Sequence, residues 1–341
     1  MKNAGKKVMC ALVCAFMLQA MHARAANAPA DALSNSLHKR LGELQWQVDN
    51  RSSSVGTGNW HVWLRALSMA LNVSADDNNK ILISGIEAGV DTTVSNTDSG
   101  RWIVGVMGQY ASGRPAYEHL GENGRGHLNV YAAGTYATWL GQNGYFVDIA
   151  LRGYQLYQDV RDFSNPPPVS YNTSQYGIVG GIEFGREIVL RRHTQSRVGW
   201  FITPRAQLNA GYLSGDNFTM SDGNPGSIAS SRLLNTGLGL IAGPRFMISR
   251  MLIQPYIKAM ARYEFSGKTK SAVAPEAFEG DSPRGFRYEF GGGVDMRISD
   301  MWSIYLDGLI QSGLDYRNLA GVFGVRLGFG GSGARPSEEA E

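Results

Sequence analysis

Between Leu319 and Phe329 the large apolar side chains fall on every second residue. Leu319, Phe323, Val325, Leu327 and Phe329 share one face of an extended strand, and small or polar residues take the other. Successive side chains of a strand point to opposite sides, so this segment needs an apolar medium on one side and a polar space on the other. The same period recurs back to about residue 59. It predicts twelve strands, at 59–71, 80–94, 100–113, 125–140, 144–158, 171–189, 198–213, 230–248, 250–265, 284–299, 301–313 and 316–329. In the tenth, Phe286, Tyr288, Phe290, Val294, Met296 and Ile298 alternate with Arg287, Glu289, Asp295 and Arg297.

Upstream the period changes. Leu33, Leu37, Leu41, Leu44 and Val48 recur at spacings of three and four, with Arg40, Glu43, Gln45 and Gln47 on the remaining faces, which predicts one amphipathic helix over about 32–50.

A soluble β-sandwich also alternates, but these strands exceed its usual length and reach the ~9–11 residues that span a bilayer. Trp60, Trp102, Tyr145, Trp200, Tyr212 and Trp302 lie near strand ends, as an interfacial girdle does. Connections at 72–79, 114–124, 159–170, 214–229 and 266–283 are long and rich in Gly, Pro, Asn and Asp, while those at 141–143, Ser249 and Asp300 are tight. Outer-membrane barrels have long external loops and short periplasmic turns. Both ends of the barrel segment, 53–329, therefore belong on the periplasmic side.

Composition sharpens this picture. Mean hydropathy is −0.20, which excludes a helical membrane protein and leaves a barrel open. A net charge of +3 gives no nucleic-acid signal, and the 43 glycines are spread through the strands. Lys2, Lys6 and Lys7, the apolar run Val8–Ala20 and Ala23-Arg24-Ala25 predict a secretory signal over 1–25. Cys10 and Cys14 both lie inside it, so neither a disulfide nor thiol chemistry is expected in the exported chain. Residues 26–52 form a short N-terminal segment, and 330–341 a polar tail.

The residues then resemble the autotransporter β-domain, the twelve-stranded translocator of type V secretion. The carriers are the N-terminal helix, Trp63-Leu-Arg65, Gly85-Ile-Glu-Ala-Gly-Val-Asp91, Gly180-Gly-Ile-Glu183-Phe-Gly185, Ile202-Thr-Pro204-Arg-Ala-Gln207-Leu208, Gln254-Pro255-Tyr256 and the terminal aromatic. The resemblance implies an all-β transmembrane barrel with outer-membrane lipid, barrel-assembly machinery and periplasmic chaperones as partners, no nucleic acid, and a monomer. It makes Phe323, Val325, Leu327 and Phe329 the assembly signal. Only about residues 26–33 separate signal from helix, so the reading is of a barrel without a sizeable passenger.

A twelve-stranded lumen has room for one helix of about 10–12 Å diameter. Inward-facing candidates are Arg65, Glu87, Asp148, Arg152, Glu183, Arg205, Gln207, Arg245, Lys258, Arg262, Glu289, Asp295 and Arg297. They carry both signs and could pair with Arg40, Glu43, Asp49 and Arg51 on the helix; alternatively they solvate an open lumen. No catalytic, cofactor or metal site is expected. His119 and His127 with Glu118 and Glu122 form no ligand motif, G-x-S-x-G and H-E-x-x-H are absent, and Gly237-Leu-Gly239 and Gly291-Gly-Gly293 sit mid-strand without a following helix. The functional reading is a translocator-like or structural membrane unit with surface loops; a small diffusive channel and a loop-based adhesin are the alternatives.

Overall fold

The computed structural model describes residues 60–73, 79–119, 122–163, 168–191, 198–248, 251–265, 268–273, 276–281, 285–299, 301–313 and 316–329. The signal expected over 1–25, the helix expected over about 32–50 and the tail at 330–341 lie outside the described residues. In chain order the strands are β1 (Trp60–Val73), β2 (Asn79–Thr97), β3 (Gly100–His119), β4 (Glu122–Gly141), β5 (Tyr145–Asp162), β6 (Val169–Arg186), β7 (Ile188–Arg191), β8 (Val198–Leu213), β9 (Asp216–Thr219), β10 (Pro225–Ile228), β11 (Ser231–Ile248), β12 (Met251–Glu264), β13 (Lys268–Val273), β14 (Glu276–Asp281), β15 (Gly285–Arg297), β16 (Trp302–Gly313) and β17 (Tyr316–Phe329).

Thirteen of them form one sheet. Here β7 continues β6 past Glu187, since both pair with β8, which leaves a barrel of twelve staves. Every pairing is antiparallel, β8 pairs with β11, and β1 pairs with β17 along fourteen residue pairs from Trp60↔Phe329 to Val73↔Tyr316. The sheet therefore closes and leaves no barrel edge, as a strand in hydrocarbon requires because unpaired backbone groups there have no water to turn to.

The outward face is apolar. Ile257 is 72% exposed, Leu238 69% and Phe290 62%, burdens that only lipid relieves. Trp60, Trp102, Tyr145, Trp200 and Trp302 mark the end with the tight turns at 98–99 and 142–144. Tyr110, Tyr131, Tyr157, Tyr176, Tyr212 and Tyr288 mark the other end; all eleven rings are exposed.

Two of the regions expected as loops fold further. Residues 214–229 contain β9 and β10, and 266–283 contain β13 and β14; together they form a four-stranded sheet ordered β14-β13-β10-β9. The Asp222-Gly223 pair turns the first hairpin: Gly223 has φ +86°, Met220 N donates to Asn224 O at 2.9 Å, and Asn224 N donates to Asp222 Oδ1 at 3.1 Å. Likewise the expected loop at 114–124 is mostly strand, with β3 and β4 paired out to His119↔Glu122.

Inside the wall, large rings sit over glycines. Trp63 lies across from Gly89, Tyr136 from Gly105, Phe146 from Gly185, Tyr256 from Gly293 and Tyr305 from Gly324, and in each pair the ring fills the space a Cβ would need. Gly324→Val therefore has to displace the Tyr305 ring. The overpacking cost is about 1–3 kcal/mol, read as a lower temperature for loss of the compact folded band on gels. Gly308→Val is the control, because Gly308 has open space where the side chain would go; equal losses in both variants would refute the packing argument.

Candidate functional site: the charged lumen

Alternation sends every second residue of each stave inward, so the chemistry of the lumen follows from strand register. Among the described residues, three buried ionic clusters result. In the first, Glu87 of β2 holds two arginines. Arg65 Nη2 of β1 donates to Oε2 at 2.6 Å, and Arg152 Nη2 of β5 donates to Oε1 at 2.8 Å. Arg152 Nη1 also donates to Gln109 Oε1 at 3.2 Å, and the Arg65 guanidinium lies 5.4 Å from the Trp63 ring centroid. The three charged side chains are 1–2% exposed.

The second cluster sits on the closure seam. Arg326 Nη2 of β17 donates to Asp91 Oδ1 of β2 at 2.6 Å, reaching past β1. From β1 itself, His61 Nδ1 lies 3.1 Å from the same oxygen. Tyr136 OH donates to Asp91 Oδ2 at 2.7 Å, and Trp63 Nε1 donates to Tyr136 OH at 2.7 Å. One carboxylate thus gathers groups from β1, β4 and β17.

The third cluster lines β12, β15 and β16. Lys258 Nζ donates to Asp307 Oδ1 at 2.9 Å and lies 3.5 Å from Glu289 Oε1; Arg262 Nε lies 3.2 Å from Glu289 Oε2. Tyr256 OH donates to Asp307 Oδ2 at 2.8 Å, and Gln311 Nε2 donates to Glu289 Oε2 at 3.2 Å. Between the clusters, Asp148 and Glu183 face each other across β5 and β6. Thr138 Oγ1 donates to Asp148 at 2.7 Å and Arg205 Nη1 donates to Glu183 at 3.2 Å, which answers part of the like-charge repulsion.

Of the remaining lumen candidates, Arg245 pairs with Glu187 at 2.8 Å near the tight-turn end, and Gln207 is buried. Asp295 and Arg297 are half-buried at that end of β15. Phe323 and Phe329 are exposed outward, with Val325 and Leu327 half-buried between them. His127 is exposed on the outer face. Arg40, Glu43, Asp49 and Arg51 lie outside the described residues. The lumen charges meet one another across strands, which is a pairing scheme the sequence reading did not contain. It also missed Asp91, Asp307 and Arg326 as lumen partners. Asp91 carries a usable signal, since it lies four residues after Glu87 on the same face.

The lumen is not polar throughout. Toward the end bearing β9 and β10, Met69, Ile81, Ile83, Leu128, Val130, Leu156, Val160 and Tyr171 form an apolar core on the β1–β6 side, joined by Met220 of the connection between β9 and β10. Tyr171 and Phe218 stack with centroids 4.6 Å apart. On the staves from β8 to β17, Asn209, Asn235, Arg262, Glu264, Arg287 and Asn318 are buried. Asn209 Nδ2 donates to Asn235 Oδ1 at 2.9 Å. The apolar core is drawn mainly from β1–β6, with Leu233 of β11 joining it, and the buried groups of β8–β17 named here are polar.

A closed twelve-stave barrel with a lipid-facing apolar band and a charged lumen defines an integral outer-membrane barrel. A family model described as the autotransporter beta-domain matches residues 62–308, and the chain belongs to that family, in the outer membrane of a Gram-negative bacterium. Among curated relatives, the pertactin autotransporter of Bordetella bronchiseptica is 29% identical over 278 residues, covering 80% of this chain and 28% of the relative. The BrkA autotransporter of Bordetella pertussis is 28% identical over 283 residues, covering 80% and 26%. The chain thus spans little more than a quarter of these relatives. Among solved structures, the β domain of the Bordetella autotransporter BrkA superposes with TM-score 0.64 at 23% identity, covering 79% of this chain and 98% of that one. The transport unit of AIDA-I from Escherichia coli gives TM-score 0.64 at 15% identity, covering 87% and 98%. Both similarities concern the fold.

Proposed function

We propose that this protein is a translocator-type barrel whose lumen holds an amphipathic segment of its own chain, residues 32–50, and that it acts without catalysis. The observation that carries this is the apolar core at the end of the lumen bearing β9 and β10, drawn mainly from β1–β6, beside the buried Asn209, Asn235, Arg262, Glu264 and Arg287 of β8–β15. A helix with Leu33, Leu37, Leu41, Leu44 and Val48 on one stripe and Arg40 and Glu43 off it matches both at once. A fully polar plug would leave Ile81, Ile83 and Leu128 against polar groups, and burying apolar area yields about 25 cal/mol per Å². Assembly of such a closed barrel draws on barrel-assembly machinery and periplasmic chaperones, with Phe329 on the lipid-facing stripe as the terminal aromatic of the assembly signal.

Deletion of residues 32–50 is expected to raise single-channel conductance in planar bilayers well above that of the intact protein. Equal conductance would argue against an occupied lumen and move the diffusive-channel reading ahead. An epitope placed after Ala28 adds the topology: labelling on intact cells supports passage of the N-terminus through the lumen, and labelling only after lysis opposes it.

A further inference from the structure

The outer face holds a cationic patch that the lumen does not explain. Arg125 of β4 and Arg161 of β5 are directly opposite in register and both exposed on the lipid-facing side. Arg114 of β3, also exposed, lies two residues from Ala116, the partner of Arg125. Side chains directly opposite on one face have Cβ atoms about 4.5–5.5 Å apart, and like charges placed so destabilise the pair. None of the three arginines has a hydrogen bond or ion pair among the described residues. Among the residues whose side chains are described, the carboxylate beside them in register is Asp159, across from His127; Asn172 donates to it at 3.0 Å once its amide is oriented to satisfy both groups. Among the described side chains, three guanidiniums therefore share this face with one carboxylate that already has a partner.

Their height in the wall is informative. Going outward along β5, Arg161 lies four residues beyond Tyr157, and along β3 Arg114 lies four beyond Tyr110. At about 3.4 Å per residue and a strand tilt of ~40°, that is roughly 10 Å above the tyrosine belt. Tyrosine belts mark the boundary between acyl chains and headgroups, so the arginines stand at headgroup level. Arginine binds phosphate through a planar fork of donors, and a shared phosphate would turn a repulsive cross-strand pair into a bridged one. We propose that Arg114, Arg125 and Arg161 bind the phosphate of an outer-leaflet lipid headgroup, an anchoring site on one side of the barrel. The proposal rests on the outer-membrane placement and orientation of the barrel and not on translocation, so it can fail independently of the lumen reading.

The test reconstitutes the full chain into phosphatidylcholine vesicles, alone or with phosphorylated lipid A, and measures the temperature at which the compact folded band is lost. Lipid A is expected to raise that temperature for the unaltered protein. The rise should shrink between 0.1 M and 1 M salt, as the screening length falls from about 10 Å to about 3 Å. Arg125→Gln combined with Arg161→Gln should abolish the rise while matching or exceeding the unaltered protein in phosphatidylcholine alone, since the repulsion is gone. Arg232→Gln, an exposed outward arginine on β11, should keep the rise. The proposal is overturned if the double variant keeps it, if dephosphorylated lipid A gives the same rise, if inorganic phosphate with phosphatidylcholine reproduces it, or if the double variant is less stable in phosphatidylcholine alone.

Discussion

Glu87→Ala is expected to destabilise the barrel by about 3–5 kcal/mol, the range found when one partner of a buried ion pair is removed. The cost comes from what stays behind. Arg65 and Arg152 both donate to this carboxylate, at 2.6 and 2.8 Å, and both are 2% exposed or less. Without Glu87 two guanidiniums would sit in the same buried space with their main anion gone. Glu87→Gln keeps the volume but turns an amide N–H toward donors, so it should fall between alanine and the natural residue. The measurement is the denaturant midpoint of the folded band in detergent. A midpoint unchanged in Glu87→Ala would mean that water or other lumen groups already solvate the arginines, and that the cluster does not hold the wall together.

How much of this was legible beforehand depends on period. The twelve staves follow from a two-residue repeat, and bilayer and lumen enforce it strongly: an arginine moved to the lipid face at mid-depth costs about 2–4 kcal/mol. Strand β8 accordingly begins and ends where its alternation does, at Val198 and Leu213. The extra hairpins were harder to see. Strands β9 and β10 have four residues each, too short for alternation to register, although the Asp222-Gly223 pair is a hairpin signal in its own right. Which side chains point inward was readable one strand at a time. Their pairing was not, because Arg152 meets Glu87 across two intervening staves and Arg326 meets Asp91 across 235 residues of sequence. Asp307 was hidden by its flanks, Tyr305, Leu306 and Leu309, which are large on both faces. The apolar lumen wall was disguised for the same reason. Ile81-Leu82-Ile83 reads as a strand with oil on both sides, a pattern that makes sense only once something apolar is placed inside.

Asp91→Ala should loosen the register of barrel closure as well as stability. Backbone pairing between β1 and β17 could slip by two residues without turning any side chain to the wrong face, since the side-chain period is two. What resists the slip is the set of groups gathered by Asp91: a shift of two residues carries Arg326 about 7 Å along its strand, too far to keep a 2.6 Å contact. The barrel staves contain no cysteine of their own, so crosslinking can report the register cleanly. Leu64 and Val325 are directly opposite in the native pairing, whereas Phe323 is opposite Ala66. Cysteines at 64 and 325 should form a disulfide in the otherwise unaltered protein, because directly opposed Cβ atoms lie within bonding reach, and cysteines at 64 and 323 should not. Adding Asp91→Ala should weaken the first crosslink and let the second form, with a fall in the melting temperature of the folded band. Arg326→Gln should do the same, and Asp91→Arg with Arg326→Asp should recover part of the native crosslink. If both single variants close only in the native register, the backbone ladder alone sets it, and the seam cluster contributes stability without specifying where the barrel shuts.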